Sequence, residues 1–348
     1  MLLISYLLGT ALLFSPGGEA GHDSWIAIMI GMVEAAGFVF AYTALAARFP
    51  GRPLTEIFSL VYGKIGGKVV SFLFIWYIIH LGSFVLSDFS YFFNTLILIE
   101  TPAVVIVLSI ALVSVYATRH GLEVLARCSQ VLLPMAGVFF TVTFLLLLKD
   151  FRLEFFQPVL GVSAKRLLFS AHSAAVFPFG ESVVFLFALP YLVNPRKPGK
   201  PVFYGLLISG FFLVVNAVRN TGALGSMQDI FFFPSFQAVR DINVGRILTR
   251  VEIIIAVNFL ALGFLKFAVL LYGAALGAAE LLGLRDYKVL GYPLAISMAL
   301  LSLLNFQGIH ESFEFLAKVY PYYALPFQIG IPLLTLVIAL ARKLPREV

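Results

Sequence analysis

Apolar residues in this chain fall into long blocks, separated by short charged or Pro/Gly-rich breaks, and not into the narrow stripe of a water-soluble helix. A helix needs about 20 residues to cross a ~30 Å hydrocarbon core. Counted that way, the pattern predicts ten spans, near residues 2–20, 24–47, 66–97, 102–118, 121–148, 168–193, 202–225, 247–282, 288–306 and 320–342. The third and eighth are longer than a perpendicular helix requires, which predicts tilt or an extension beyond the bilayer. The expected fold class is all-α, a polytopic membrane protein with one integral membrane domain over residues 1–348.

Met1 to Ser15 resembles the apolar core of a signal peptide. It has no basic lead and no convincing small-x-small cleavage site, so it is read as a retained span. It is short for a span and lacks a polar lead, as a truncated or displaced start would leave it.

Two spans carry backbone-breaking sequence at mid-depth. The first reads Leu8-Gly9-Thr10-Ala11-Leu12 before Pro16-Gly17-Gly18, and the sixth reads Val176-Phe177-Pro178-Phe179-Gly180-Glu181. These breaks lie about half the chain apart, at equivalent places in two sets of five spans. That spacing predicts a 5+5 inverted repeat, the first unit about 1–148 and the second about 168–342, with helices 1 and 6 discontinuous. Outer loops are expected at 149–167 and 226–246. An interrupted helix in lipid frees N–H and C=O groups that protein, water or ligand must satisfy. A ligand with its own ammonium and carboxylate would satisfy both kinds. The plainer reading of each glycine is close helix packing; the matched pair favours a site.

Composition agrees with the pattern. The chain is 61% hydrophobic and 12% charged, against roughly 25% charged in soluble domains, and its mean hydropathy is +0.99. A formal charge of +6 would suggest nucleic acid in a soluble protein, but the basic residues here sit mainly in short interhelical loops. With the N-terminus cytoplasmic, fourteen Lys and Arg fall on inside loops and eight on outside ones, so both termini are expected on the cytoplasmic side. The single Cys128 excludes an intrachain disulfide and a multi-cysteine metal site.

Charges within spans are costly, so each is a functional hypothesis with a partner to be named. Glu181 follows the break at Gly180 and is placed to hold a proton, an ammonium or Lys266; the alternative is a cap for exposed N–H groups. Lys266, midway along span eight, stands either where a coupling cation would sit or as a structural pair. Asp88 lies among Ser83, Ser87 and Ser90, a polar stretch suited to lining a cavity, and Glu34 suits a structural pair. These three form the candidate charge network. Arg219 reads as an interface or partner contact and Glu280 as solvated. Phe177 and Phe179 flank the break and are candidates to line a ligand cavity, with packing as the plainer reading.

The five histidines show no close pair of ligand type, so no metal site is expected. No P-loop, Gly-x-Ser-x-Gly or kinase signature appears. An enzyme and an ATP-driven pump are therefore not expected, and no cofactor is implied.

The segments Leu8-Gly9-Thr10-Ala11-Leu12-Leu13-Phe14-Ser15-Pro16, His22-Asp23-Ser24-Trp25-Ile26, Phe49-Pro50-Gly51, Tyr62-Gly63-Lys64, Thr101-Pro102, Pro158-Val159-Leu160-Gly161, Phe179-Gly180-Glu181, Arg250-Val251-Glu252 and Leu271-Tyr272-Gly273 resemble, in order and spacing, the spore germination permeases. These are the B-type subunits of nutrient germinant receptors, within the amino acid/polyamine/organocation (APC) superfamily. The resemblance implies an APC-like ten-span fold in the inner membrane of a bacterial spore. It implies a germinant, commonly an amino acid, as ligand, and an A-type membrane subunit and a C-type lipoprotein as partners. Family ligand contacts fall at the breaks of helices 1 and 6 and on helices 3 and 8. On matching positions these are Gly9, Thr10 and Ala11, Gly180 and its neighbours, and residues near Lys266. Ala11 departs from related transporters, which often have Gly. The expected function is nutrient sensing by a transporter-like subunit; the alternative is a proton-coupled amino-acid transporter with Glu181 or Asp88 carrying the proton.

Overall fold

The computed structural model describes residues 1–240 and 250–345. Among these the chain is helical with no strand: α1 (Leu2–Leu8), α2 (Ser24–Arg48), α3 (Leu54–Leu96), α4 (Ala103–Arg119), α5 (Leu122–Leu147), α6 (Ala164–Ala174), α7 (Gly199–Leu224), α8 (Pro234–Arg240), α9 (Glu252–Leu282), α10 (Gly291–Leu304), α11 (Ile309–Lys318), α12 (Tyr320–Tyr323) and α13 (Ile331–Ala341). Eight helical segments among the described residues are long and apolar enough to cross a membrane, and Ala103–Arg119 is a shorter apolar helix. Large apolar side chains such as Phe40, Phe72, Ile65 and Leu304 lie exposed on the flanks, as a surface facing lipid requires. This is an all-helical integral membrane protein.

The predicted blocks and the helices coincide best where no Pro or Gly intervenes, as in α2, α4 and α5. The third helix starts at Leu54, well before the predicted 66, because Gly63 bends it without ending it. There φ is +80°, a conformation glycine adopts at no steric cost. The sixth span begins at Ala164, where the Ser163 hydroxyl accepts a hydrogen bond from the Arg166 backbone N–H. The start of the predicted eighth span, 247–249, and the end of the predicted loop 226–246 lie outside the described residues. Two helices occupy stretches read as loops: α8, and the surface helix α11 between α10 and α12.

Both breaks are present, in different forms. α1 ends after seven residues, and 9–13 continue as irregular turns, with Gly9 N–H bonded to the Tyr6 carbonyl and Leu13 N–H to that of Thr10. Past Ala174 the sixth span loosens, and Phe177 is extended at φ −121°, ψ 119°. Pro178 explains this, since it has no N–H and pushes the residue before it out of the helical region. Residues Gly180–Phe187 then run as a tighter helix.

α9 packs against α1, α3, α4 and α5. In its apolar stretch 72% of residues are buried, against 22% for Leu122–Asp150. α9 is therefore an internal post and α5 an outer, lipid-facing helix.

Where α2 crosses α6 the backbones nearly touch: a Cβ on Gly31 would collide with the Ala171 carbonyl and stand 3.0 Å from the Ala175 nitrogen, whereas one on Gly37 would meet nothing within 4 Å. Gly31→Ala is expected to destabilise the protein by about 1–3 kcal/mol. Gly37→Ala, on the same helix, is expected to be neutral or to stabilise by up to ~1 kcal/mol. Melting temperatures of the two detergent-solubilised variants, measured side by side, check this; equal values would refute the close crossing.

Candidate functional site

Three elements bring polar groups to one buried point. Lys266 on α9 directs its ammonium to Glu181, with Nζ 2.6 Å from Oε2 and both side chains almost fully enclosed. The same ammonium donates to Thr10 Oγ1 at 2.9 Å, in the broken part of the first span. It also lies 4.9 Å from the Phe177 ring centre and 5.5 Å from that of Tyr6, within the range where an aromatic face attracts a cation. Gly9 permits the approach, since a Cβ there would stand 2.9 Å from Lys266 Cβ and 3.0 Å from the Leu262 carbonyl. Glu181 Oε1 accepts from the Tyr320 hydroxyl at 2.8 Å. Taking both charges out of water costs several kcal/mol per ion, and only close geometry with further hydrogen bonds offsets it. Thr10 and Tyr320 supply those bonds.

The carbonyls freed by the breaks are taken by side chains. Tyr6 donates to the Glu181 carbonyl at 3.1 Å, Tyr42 to those of Gly180 and Gln328 at 3.2 and 2.6 Å, and Gln328 Nε2 to that of Val176 at 3.1 Å. On the first span, the Leu12 carbonyl accepts from Ser235 Oγ at 2.6 Å and Asn216 Nδ2 at 3.3 Å. In this state the Val176, Gly180, Glu181 and Leu12 carbonyls are completed by protein side chains.

A cavity of about 30 Å³ lies beside the ion pair, lined by Asp88, Glu181, Lys266, Phe177, Phe313 and Tyr320 among others. Asp88 has no hydrogen-bond or ion-pair partner among the described residues. A larger vestibule of about 530 Å³ is lined by Phe14, Arg166, Asp229, His310, Glu314 and Lys318, and shares Phe177, Phe313 and Leu316 with the small cavity. Phe14 meets Phe313 and Phe177 with ring centres 5.3 and 6.2 Å apart. These rings form an aromatic plug between the two spaces.

Of the residues singled out by sequence, Thr10, Phe177, Glu181, Lys266 and Asp88 converge here. Gly180 backs onto the Gln328 amide, which a Cβ would overlap. Ala11 and Phe179 are buried and line none of the cavities described. Glu34 lies apart from the network, because His172 Nδ1 engages its carboxylate at 2.7 Å. Arg219 is no interface contact; it is 1% exposed. Glu280 is held by the Thr55 hydroxyl at 2.6 Å. Sequence reading passed over Tyr6, Tyr42, Tyr77, Tyr320 and Gln328, which surround Glu181. A glutamine midway along an apolar span was the available signal for the last.

A family model described as Spore germination protein matches residues 1–308. Spore germination protein KB of Bacillus subtilis (strain 168) is 27% identical over 352 residues, covering 100% of this chain and 94% of the relative. Spore germination protein YndE of the same organism is 25% identical over 289 residues, covering 80% of this chain and 78% of the relative. In fold the chain is similar to Mhp1, a nucleobase-cation-symport-1 family transporter solved in a closed conformation with bromovinylhydantoin bound. The TM-score is 0.65 at 13% identity, over 99% of this chain and 90% of that one.

Removing one member of a buried ion pair strands the other, so Lys266→Met and Glu181→Gln are each expected to destabilise the protein by about 3–5 kcal/mol. The double variant is expected to cost clearly less than the two added together. Thermal unfolding of the four proteins in detergent measures the coupling, and strict additivity would refute the pair.

Proposed function

This chain belongs to the spore germination protein family, and on that premise we propose that it is the nutrient-binding, transporter-like subunit of a germinant receptor in the spore inner membrane. An amino acid is the ligand class, bound between the breaks of the first and sixth spans. An A-type membrane subunit and a C-type lipoprotein are its partners. The observation that carries this reading is Asp88, a carboxylate without a hydrogen-bond or ion-pair partner on the wall of the aromatic cavity beside Lys266 and Glu181.

With those four carbonyls taken, Asp88 is the acidic group left to receive an ammonium. Phe177, Phe313 and Tyr320 line the same cavity, and aromatic rings attract a cation. The cavity of about 30 Å³ has room for water, which needs roughly 10–15 Å³, and not for an amino acid. Binding therefore requires the Phe14–Phe177–Phe313 plug to move, and a ligand with differential affinity shifts the protein toward that open state. In a receptor the shift passes to the partner subunits.

A second reading, proton-coupled amino-acid transport, draws support from the transporter fold and from the same unpaired carboxylate, which in that case carries the proton. Flux separates the two. Protein in liposomes that binds but does not accumulate a labelled amino acid under a pH gradient supports sensing, and accumulation supports transport.

Asp88→Asn removes a partly buried carboxyl that has no hydrogen-bond or ion-pair partner among the described residues, so its melting temperature is expected to equal or exceed that of the native chain. Amino-acid binding, read as ligand-induced thermal stabilisation, is expected to weaken at least ~10-fold, the equivalent of about 1.4 kcal/mol. Unchanged stabilisation in the variant by an amino acid that stabilises the native chain would remove Asp88 from the site.

A further inference from the structure

Arg219 lies on α7, near the end that leads into Gly225–Ile230, and is 1% exposed. No carboxylate meets it among the described residues. Its Nε and Nη2 donate to Asn220 Oδ1 at 3.3 and 3.1 Å and its Nη1 to Thr143 Oγ1 at 3.3 Å. The Phe140 ring centre stands 5.2 Å from the guanidinium carbon. A guanidinium has five N–H donors, so two of them, one on each terminal nitrogen, have no acceptor among the described residues. The acceptors that are present are neutral. A buried cation is ordinarily matched by an anion as well as by hydrogen bonds, and among the described residues none meets this one.

Beside it is a cavity of about 20 Å³, lined by Gly9, Phe140, Asn216, Arg219 and Asn258 among others. Asn258, 5% exposed, is the second polar group left incomplete there. Its Oδ1 has no partner, and its Nδ2 reaches the Ala136 carbonyl at 3.4 Å, the long end of hydrogen-bond range. The two ends of a primary amide exchange by a half-turn, so Asn258 can present N–H groups to the cavity, at the loss of one weak bond and with its Oδ1 then facing the Ala136 carbonyl, a cost the bound anion has to offset. The space exceeds the 10–15 Å³ that one water needs; chloride, with about twice the volume of a water on that scale, fills it when the lining gives way slightly. Carboxylates and oxyanions are too large for it.

We propose that this cavity is a binding site for a monatomic halide, chloride in physiological media, held by the free N–H groups of Arg219 and by the Asn258 amide. The site is distinct from the Lys266–Glu181 cluster, with which it shares no lining residue. It touches the first span at Gly9, Leu12 and Leu13. The bound anion neutralises Arg219 and fastens α7 and α9 to the irregular turns after α1.

The test uses the detergent-purified full chain, with potassium gluconate exchanged for potassium chloride or bromide at constant ionic strength. The melting temperature is expected to rise saturably, by about 2 °C at a halide concentration some tenfold above Kd. Arg219→Gln is expected to abolish the response. Should that variant fail to fold, Asn258→Asp decides: it supplies a fixed carboxylate to the same cavity, and is expected to melt in gluconate at least as high as the native chain does in chloride, with no further rise on adding halide. A native chain that melts identically in gluconate and halide would leave only a buried water at Arg219. A full halide response persisting in Asn258→Asp would place the ion elsewhere. Either result overturns the proposal.

Discussion

The hydrocarbon interior offers no water to a charge or to an open backbone group, and the ion pair between Lys266 and Glu181 is where this chain meets that constraint most directly. Lys266 projects from the largely enclosed helix α9 and reaches the two segments whose helices are interrupted, Thr10 in the first and Glu181 in the sixth. One ammonium thus fixes three elements against each other. Gly9 is constrained by the same contact, since any side chain there would push α1 away from Lys266. Tyr320 sits at the start of the last helical segment and brings a fourth element to the other oxygen of Glu181.

From that anchor the remaining polar chemistry follows as a matter of satisfaction. A carbonyl exposed by a break in lipid costs several kcal/mol if left open, and here each one noted is closed by a hydroxyl or an amide from another helix. Tyrosine suits the task because the ring packs as a hydrophobe while the hydroxyl stands at a fixed distance from the backbone. Tyr6, Tyr42, Tyr77 and Tyr320 form such a set around Glu181 and Gln328. The result is a closed, internally bonded state with little empty volume, separated from a larger vestibule by phenylalanines. Any ligand entering that centre competes against bonds already made, unless it uses the group left over, which is Asp88.

Much of this was legible in the sequence, for a physical reason: span length and the incompatibility of proline with a helix are local properties. The blocks became α2, α4 and α5 with shifts of a residue or so, and Pro178 located the extended Phe177. Lys266 as a partner for Glu181 was among the options because a lone cation and a lone anion in apolar spans have few other choices. What stayed illegible depends on which distant residues meet. Glu34 and Asp88 look alike in sequence, each an acid within an apolar helix. One is paired with a histidine 138 positions away and the other is not. Arg219 looked like a contact for a partner because it lies near a helix end; the ring of Phe140 and the hydroxyl of Thr143, both from α5, enclose it. α8 and α11 were read as loops because a helix lying beside a bundle needs neither the length nor the hydrophobicity of a span. Yet α8 supplies Ser235 to a freed carbonyl and α11 supplies Phe313 to the plug.

The two buried cations give the break in the first span an electrostatic character that neither gives alone. Lys266 engages the segment at Thr10, while the cavity of Arg219 opens onto Gly9, Leu12 and Leu13. Only one of them has an acid in contact among the described residues. Among the described residues the charged groups are therefore not paired one by one: an unpaired guanidinium remains at Arg219, beside these turns, and an unpaired carboxyl at Asp88, in a separate cavity. In a low-dielectric interior such a charge acts over longer distances than in water, so whatever neutralises one pole changes the energy of the other. A fold that needed only stability would have closed both poles with apolar side chains, as replacement of buried ions generally permits. Keeping Arg219 and Asp88 in two separate cavities ties whatever binds at either one to the packing of the helices around it.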